Sequence, residues 1–182
     1  MAKHIEEIEL LQKKYPQIKI LKGAEVDILR DGELDYADKT LSQLDVVVTS
    51  VHSGFKMNKE EMTKRILSAL DNPHTTILGH PTGRLINQRN PYEVDMSKVI
   101  NSAKENNVLL EINSFPSRLD LNDVNIKSAV ESGEKLCINT DSHSKEHLNL
   151  IEFGIAQARR GWAEEKDVVN TLKWREFERF LT

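Results

Sequence analysis

Five short runs of β-branched and other apolar residues recur along the chain: Ile18 to Ile28 (IKILKGAEVDI), Leu44 to Val51 (LDVVVTSV), Thr75 to Gly79 (TTILG), Val108 to Ile112 (VLLEI) and Lys135 to Thr140 (KLCINT). The middle three are nearly continuous in apolar character, the pattern of strands covered on both faces in a parallel sheet. Between the runs the period changes to that of capped amphipathic helices. Asn58 followed by Glu61 has the form of a capping box, after which Met62, Ile66, Leu67 and Leu70 share one face and Asn72-Pro73 ends the helix. Asp95 is placed to cap a helix carrying Val99, Ile100 and Ala103; Asp123 is placed to cap one carrying Val124, Ala129 and Val130 and ending at Gly133. From about Lys145 a further helix carries Leu148, Ile151, Ile155 and Ala158 and closes on Arg159, Arg160 and Gly161, cations at a helix C-terminus. Glu164 to Leu181 reads as one or two more helical turns. This alternation predicts an α/β fold on a parallel sheet of about five strands.

No Pro/Gly/Ser-rich linker, charge block or low-complexity tract divides the sequence, so residues 1–182 read as a single domain. That length can bury a core but falls short of the about 250 residues of a complete (β/α)₈ barrel. With 25 Lys+Arg against 29 Asp+Glu, the net charge of −4 excludes a broad electrostatic grip on nucleic acid and leaves room for a local basic patch. The mean hydropathy of −0.49 and the lack of a long apolar run exclude a membrane span. MAKHIEEIELLQKKYP has no signal-type apolar region, so a cytoplasmic location is expected. The single cysteine, Cys137, lies in KLCINT and reads as a buried, inert thiol.

In parallel α/β folds, sites form at the C-terminal ends of the strands, where loops vary over a rigid scaffold. The first run ends in Glu25 and Asp27, the second in His52, the third in His80, the fourth in Glu111 and Asn113, and the fifth in Asp141 and His143. Taken singly, a histidine after a strand is usually a hydrogen-bonded loop residue, and Glu25 a salt-bridged or exposed carboxylate. Recurrence at five strand ends points instead to a multi-ligand metal site. His4, His74 and His147 lack that placement and read as structural or solvent-facing. Histidine and carboxylate ligation without cysteine suits Mn²⁺, Zn²⁺ or Fe²⁺. A carboxylate between such cations generates hydroxide and clamps a phosphoryl group, so metal-assisted phosphoester hydrolysis is the expected reaction class. No Walker or Rossmann loop and no Gly-x-Ser-x-Gly elbow occurs. The third strand end continues as His80-Pro81-Thr82-Gly83-Arg84, making Arg84 a candidate for a phosphate oxygen, with an exposed loop arginine as the alternative. Arg89, Arg118 and Lys56 follow strand ends too and suggest a basic rim, while Asn113 and Ser114 read as turn residues.

GAEVDI, TSVHSGF, LGHPTGRL, LEINSFPSRLDL, INTDSHS and ARRGW, in this order, resemble the PHP (polymerase and histidinol phosphatase) superfamily, in particular the C-terminal PHP domain of bacterial family X DNA polymerases. The resemblance runs from about Ile5 to Leu181. It implies a distorted seven-stranded TIM-like barrel and a Mn²⁺-dependent 3′-5′ exonuclease attached to a repair polymerase, with a DNA 3′ end as partner. By resemblance, Glu25 corresponds to the bridging carboxylate, His52 and His80 to the other ligands of one metal, Asp141 to a ligand of a second and His143 to a ligand of a third. The family's opening His-x-His is absent, as is the polymerase region. The expectation is therefore an incomplete (β/α)₇ barrel lacking its first two strands, with at most one well-formed metal subsite and little or no nuclease activity alone. Two open sheet edges are expected to lead to dimerisation, to strand exchange or to poor solubility. The alternatives are a free-standing phosphatase of the histidinol-phosphatase type, a non-catalytic metal-binding or interaction module, and, for the fold, a doubly wound receiver-like sheet.

Overall fold

A computed structural model describes residues 2–181. Five strands, β1 (Gly23–Asp27), β2 (Val46–Ser50), β3 (Ile77–Leu78), β4 (Leu109–Asn113) and β5 (Leu136–Asn139), form one sheet in the order β1-β2-β3-β4-β5, every pair parallel. Helix α1 (Ala2–Lys14) precedes the sheet; α2 (Asp38–Leu41), α3 (Lys59–Leu70), α4 (Met96–Asn106) and α5 (Asp123–Ser132) make the crossovers; α6 (Ile151–Arg160) and the short α7 (Trp174–Phe177) follow β5. A strictly sequential order has no reversal point, so the doubly wound alternative is overturned. The sheet is that of an incomplete, open TIM-like barrel.

Strand alternation divides the side chains between two faces. Val26, Val47, Leu78, Leu110, Ile112, Leu136 and Ile138 join Met62, Ile66, Leu70, Val99, Ile100, Ala103, Ile126 and Ala129 in the core beneath the helices. On the other face Ile77, Leu109 and Cys137 form a second apolar layer with Val46 and Val48. The C-terminal segment floors this face, packing Val169, Leu172, Phe177 and Phe180 on that layer. Burial pushes the Cys137 thiol up to about 12, consistent with an inert group.

That segment corrects the expectation of two open edges. Val168 bridges Leu136 in parallel, and the Asn170 amide stands in for the next strand: its Oδ1 accepts from Ile138 N at 2.7 Å and its Nδ2 donates to Ile138 O at 2.9 Å. The β5 edge is therefore capped; only β1 has no further strand beside it among the described residues.

Asn58 caps α3 by accepting from Glu61 N at 2.9 Å, and Asp95 caps α4, as the sequence predicts. The cap of α5 is one residue earlier than expected, Asn122 accepting from Asn125 N. Ile126 takes the core position, and Val124 faces solvent. The predicted Lys145 helix is split into a 3₁₀ turn, Lys145–Leu150, and α6. Leu148 and Ile155 are exposed because Gly154 and Ala158 face the sheet instead. A Cβ at Gly154 would lie 2.0 Å from Ser114 Oγ and 2.6 Å from Ile138, so close helix approach selects glycine there. Among the described residues, no helix is long and apolar enough to cross a membrane.

Glu134, buried just before β5, has its carboxyl pushed up to about 8 from 4.5 by burial, against the hydrogen bond from Lys135 and the charges of Lys104 and Lys135. Between those two values the folded chain keeps a proton that the unfolded chain has lost, so this group removes stability as pH rises through that window. Glu134→Gln is expected to raise the thermal midpoint by an amount that grows from pH 5 to pH 9; an increment independent of pH would refute this account.

Candidate metal centre

Parallel neighbours end on the same side of a sheet, and the register pairs Glu25 with Val48 and Val48 with Ile77. His52 and His80 each follow their strand by two residues, in the loops at that same end of the sheet. Ligand atoms of Glu25, His52 and His80 lie within 4.8 Å of one another. His80 Nε2 is 2.9 Å and His52 Nε2 3.3 Å from the same Glu25 Oε1, and the two rings are 5.2 Å apart. His80 is buried, whereas Glu25 and His52 face solvent on one side. Burial pushes the Glu25 carboxyl up, but hydrogen bonding to His52 and His80 outweighs it and holds the group well below the usual carboxylate range.

Asp27 shares a face with Glu25 by strand alternation and takes His52 Nδ1 at 2.6 Å. A protonated Nδ1 donating to this carboxylate leaves Nε2 turned toward Glu25, the support commonly found behind a metal-ligating imidazole. Hydrogen bonding to Glu25 and Asp27 outweighs desolvation and raises His52 to about 9. The Glu25-x-Asp27 spacing was the visible signal for this partner; its role was not legible.

Asp141 lines the same cavity of about 270 Å³ as Glu25, His80, Glu111, Asn113 and Asn139. Its Oδ2 lies 3.2 Å from Asn113 Nδ2 and 3.4 Å from Arg118 Nε. His143 is not brought into the cluster: its side chain is 77% exposed, and its Nδ1 sits 2.8 Å from the Asp141 carbonyl. Arg84, the sequence candidate for phosphate, is turned onto main-chain carbonyls, with Nε donating to Arg118 O at 2.8 Å and an Nη to Leu119 O. Its guanidinium thereby fastens Arg84 to the loop that carries Arg118 and Leu119. Arg89 donates twice to Gly83 O and stacks on Phe55, and Lys56 is exposed. Arg118 is the arginine beside the cavity, and its buried Nη1 has no hydrogen-bond partner among the described residues. Asn113 and Ser114, expected as turn residues, are both buried. His147 packs edge-on against Phe115, and His74 donates its N–H to Asn72.

The donor set fits a divalent cation. Two imidazoles and a carboxylate converge with no thiolate among them, and solvent reaches one side, as in open rather than structural metal sites. Buried His80 Nδ1 has no partner among the described residues.

Arg65, on α3, ties the loops that carry these groups. Its side chain is fully buried, with Nε donating to Leu29 O and Nη1 to Ser53 O, each at 2.8 Å, and Nη2 to Ile28 O. The ends of β1 and β2, and with them Asp27 and His52, are thus held by one guanidinium. Arg65→Met leaves these carbonyls without their donors and is expected to cost about 3 kcal/mol in urea unfolding; a loss under about 1 kcal/mol would show the clamp to be dispensable.

No family model matches the chain. It is 42% identical over 181 residues to the DNA polymerase/3′-5′ exonuclease PolX of Bacillus subtilis; the match covers all of this chain and 32% of that protein, about a third of its length. It is 32% identical over 174 residues to a probable phosphatase of Thermoanaerobacter sp. strain X514, covering 90% of this chain and 69% of that protein. A probable phosphatase of Clostridium botulinum strain Langeland is 30% identical over 182 residues, with 91% of this chain and 72% of the relative covered. Relatives spanned over more than two thirds of their length, together with the sequential parallel sheet and the histidines at its strand ends, establish that the chain belongs to the PHP (polymerase and histidinol phosphatase) superfamily.

Proposed function

We propose that this chain is a divalent-metal-dependent phosphoesterase module of the 3′-5′ exonuclease type, which in an intact family X DNA polymerase acts on the 3′ end of DNA during repair. The observation that carries the reading is the convergence of Glu25, His52 and His80 beside Asp141 on one rim. Identity along the whole chain to a relative named as both polymerase and 3′-5′ exonuclease supports the nucleic-acid substrate.

Glu25, His52 and His80 hold one cation in this reading; Mn²⁺ is the first choice, and Zn²⁺ and Fe²⁺ fit the same donors. A divalent cation held there would supply polarisation of a phosphoryl oxygen and a lowered pKa for a water molecule. Glu25 is ionised throughout the physiological range, so it supplies negative charge without first losing a proton. Asp27 orients His52, and the Thr82–Asp120 hydrogen bonds at 2.9 and 3.0 Å hold the loop after His80. Arg118, with Nε 3.4 Å from Asp141 Oδ2, adds positive charge beside that carboxylate. Second and third metals would have only Asp141 and His143 besides Glu25, so the chain alone takes one cation well and turns over little DNA.

A second reading, a phosphatase of small phosphomonoesters, is favoured by the relatives named as probable phosphatases that the chain spans over two thirds of their length. Calorimetric titration of the metal-free chain with Mn²⁺ is expected to give one site, weakened at least about tenfold by Glu25→Gln or His80→Ala. Release from 3′-labelled DNA, compared with hydrolysis of histidinol phosphate under Mn²⁺, separates the two substrates. Tight binding of two or three cations, or robust nuclease turnover, would overturn the one-subsite account.

A further inference from the structure

Glu111 stands where a barrel interior normally places an apolar side chain. It is a β4 residue on the same face as Leu109, beside Cys137 in register, and is 5% exposed. Burying a carboxylate is costly unless its oxygens are satisfied. Here Oε2 accepts from the His80 main-chain N–H at 2.6 Å and from Asn113 Nδ2 at 3.2 Å, while Oε1 accepts from Asn139 Nδ2 at 2.9 Å. The same Asn113 Nδ2 reaches Asp141 Oδ2 at 3.2 Å. One end of this network therefore fixes the main chain of His80, and the other restrains Asp141.

Gly79 keeps the path open. A Cβ there would lie 2.5 Å from Ser50 Oγ, 2.8 Å from Val48 Cγ1 and 3.7 Å from Glu111 Oε2. Any side chain at 79 would intrude between β2 and the carboxylate. His80 itself has φ of 29°, a left-handed conformation that needs external support in a residue with a side chain. It is that residue's own N–H that donates to Glu111 Oε2.

We propose that Glu111 is the positioning residue of the site, a single carboxylate that sets His80 directly and Asp141 through Asn113, so that the metal-binding cluster and the neighbouring carboxylate are aligned by one group. Its binding arm rests on the metal reading above; its geometric arm does not.

The test is Glu111→Gln, which keeps the shape but replaces one acceptor oxygen by a donor. In metal-free chain, NMR is expected to show displaced His80 imidazole and Asp141 carboxyl resonances, with the His52 ring little changed. Mn²⁺ affinity by calorimetry is expected to fall about tenfold or more. The thermal midpoint of the metal-free variant reports whether it folds. Should it not fold, Asn113→Ala, which leaves Glu111 and its bond to His80 in place, is expected to displace the Asp141 resonance and leave that of His80 unchanged. A Gln variant with both resonances in place overturns the proposal, even if Mn²⁺ affinity drops, since the carboxylate then acts through charge alone. If the wild-type chain takes up no Mn²⁺, the metal reading fails while the resonances still decide the role of Glu111.

Discussion

Five parallel strands in sequential order deliver their C-terminal ends to one rim, and the chemistry of this chain depends on that geometric constraint. Glu25 and His80 are 55 residues apart in sequence, yet their side chains meet at 2.9 Å because β1, β2 and β3 are adjacent and in register. A one-residue slip of β1 would place Glu25 on the helix side of the sheet, where Val26 now packs. The cluster is thus a consequence of topology first and of local loop structure second.

The inner face meets two demands at different heights. Below, Val46, Ile77, Leu109 and Cys137 with the C-terminal segment form a dry floor, so an open sheet still buries both faces. Above, Glu111, Asn113 and Asn139 form a satisfied polar layer that supports the rim. Arg65 does the same from the helix side, spending its donors on main-chain carbonyls rather than on another charge. In a densely packed interior such groups restrict motion, and what remains solvent-facing, Glu25, Asp27 and His52, is the part a ligand would meet.

Much of the scaffold was legible because alternation, apolar runs and caps act within a few residues. Four of the five strands lie inside the predicted runs and β4 extends one residue past its run, to Asn113, while Asn58 and Asp95 cap their helices as expected. Errors arose where helical phase decided the outcome. Val124, Leu148 and Ile155 are apolar but exposed, since the approach of α5 and α6 to the sheet is set by Ile126, Gly154 and Ala158. The capped β5 edge depends on a side-chain amide 32 residues from its partner strand, a distance at which no periodicity carries information.

The site divides along the same line. Sequence alone determined which residue types stand at the strand ends, and so the donor chemistry of Glu25, His52 and His80. Tertiary structure decided which of those ends converge: Asp141 enters the shared cavity while His143 stays in solvent. It also turned Arg84 onto main-chain carbonyls and set Arg118 beside Asp141. Residue type and strand position are local properties of the chain, but the direction of a loop side chain follows from which distant carbonyls and carboxylates it meets once the sheet has formed.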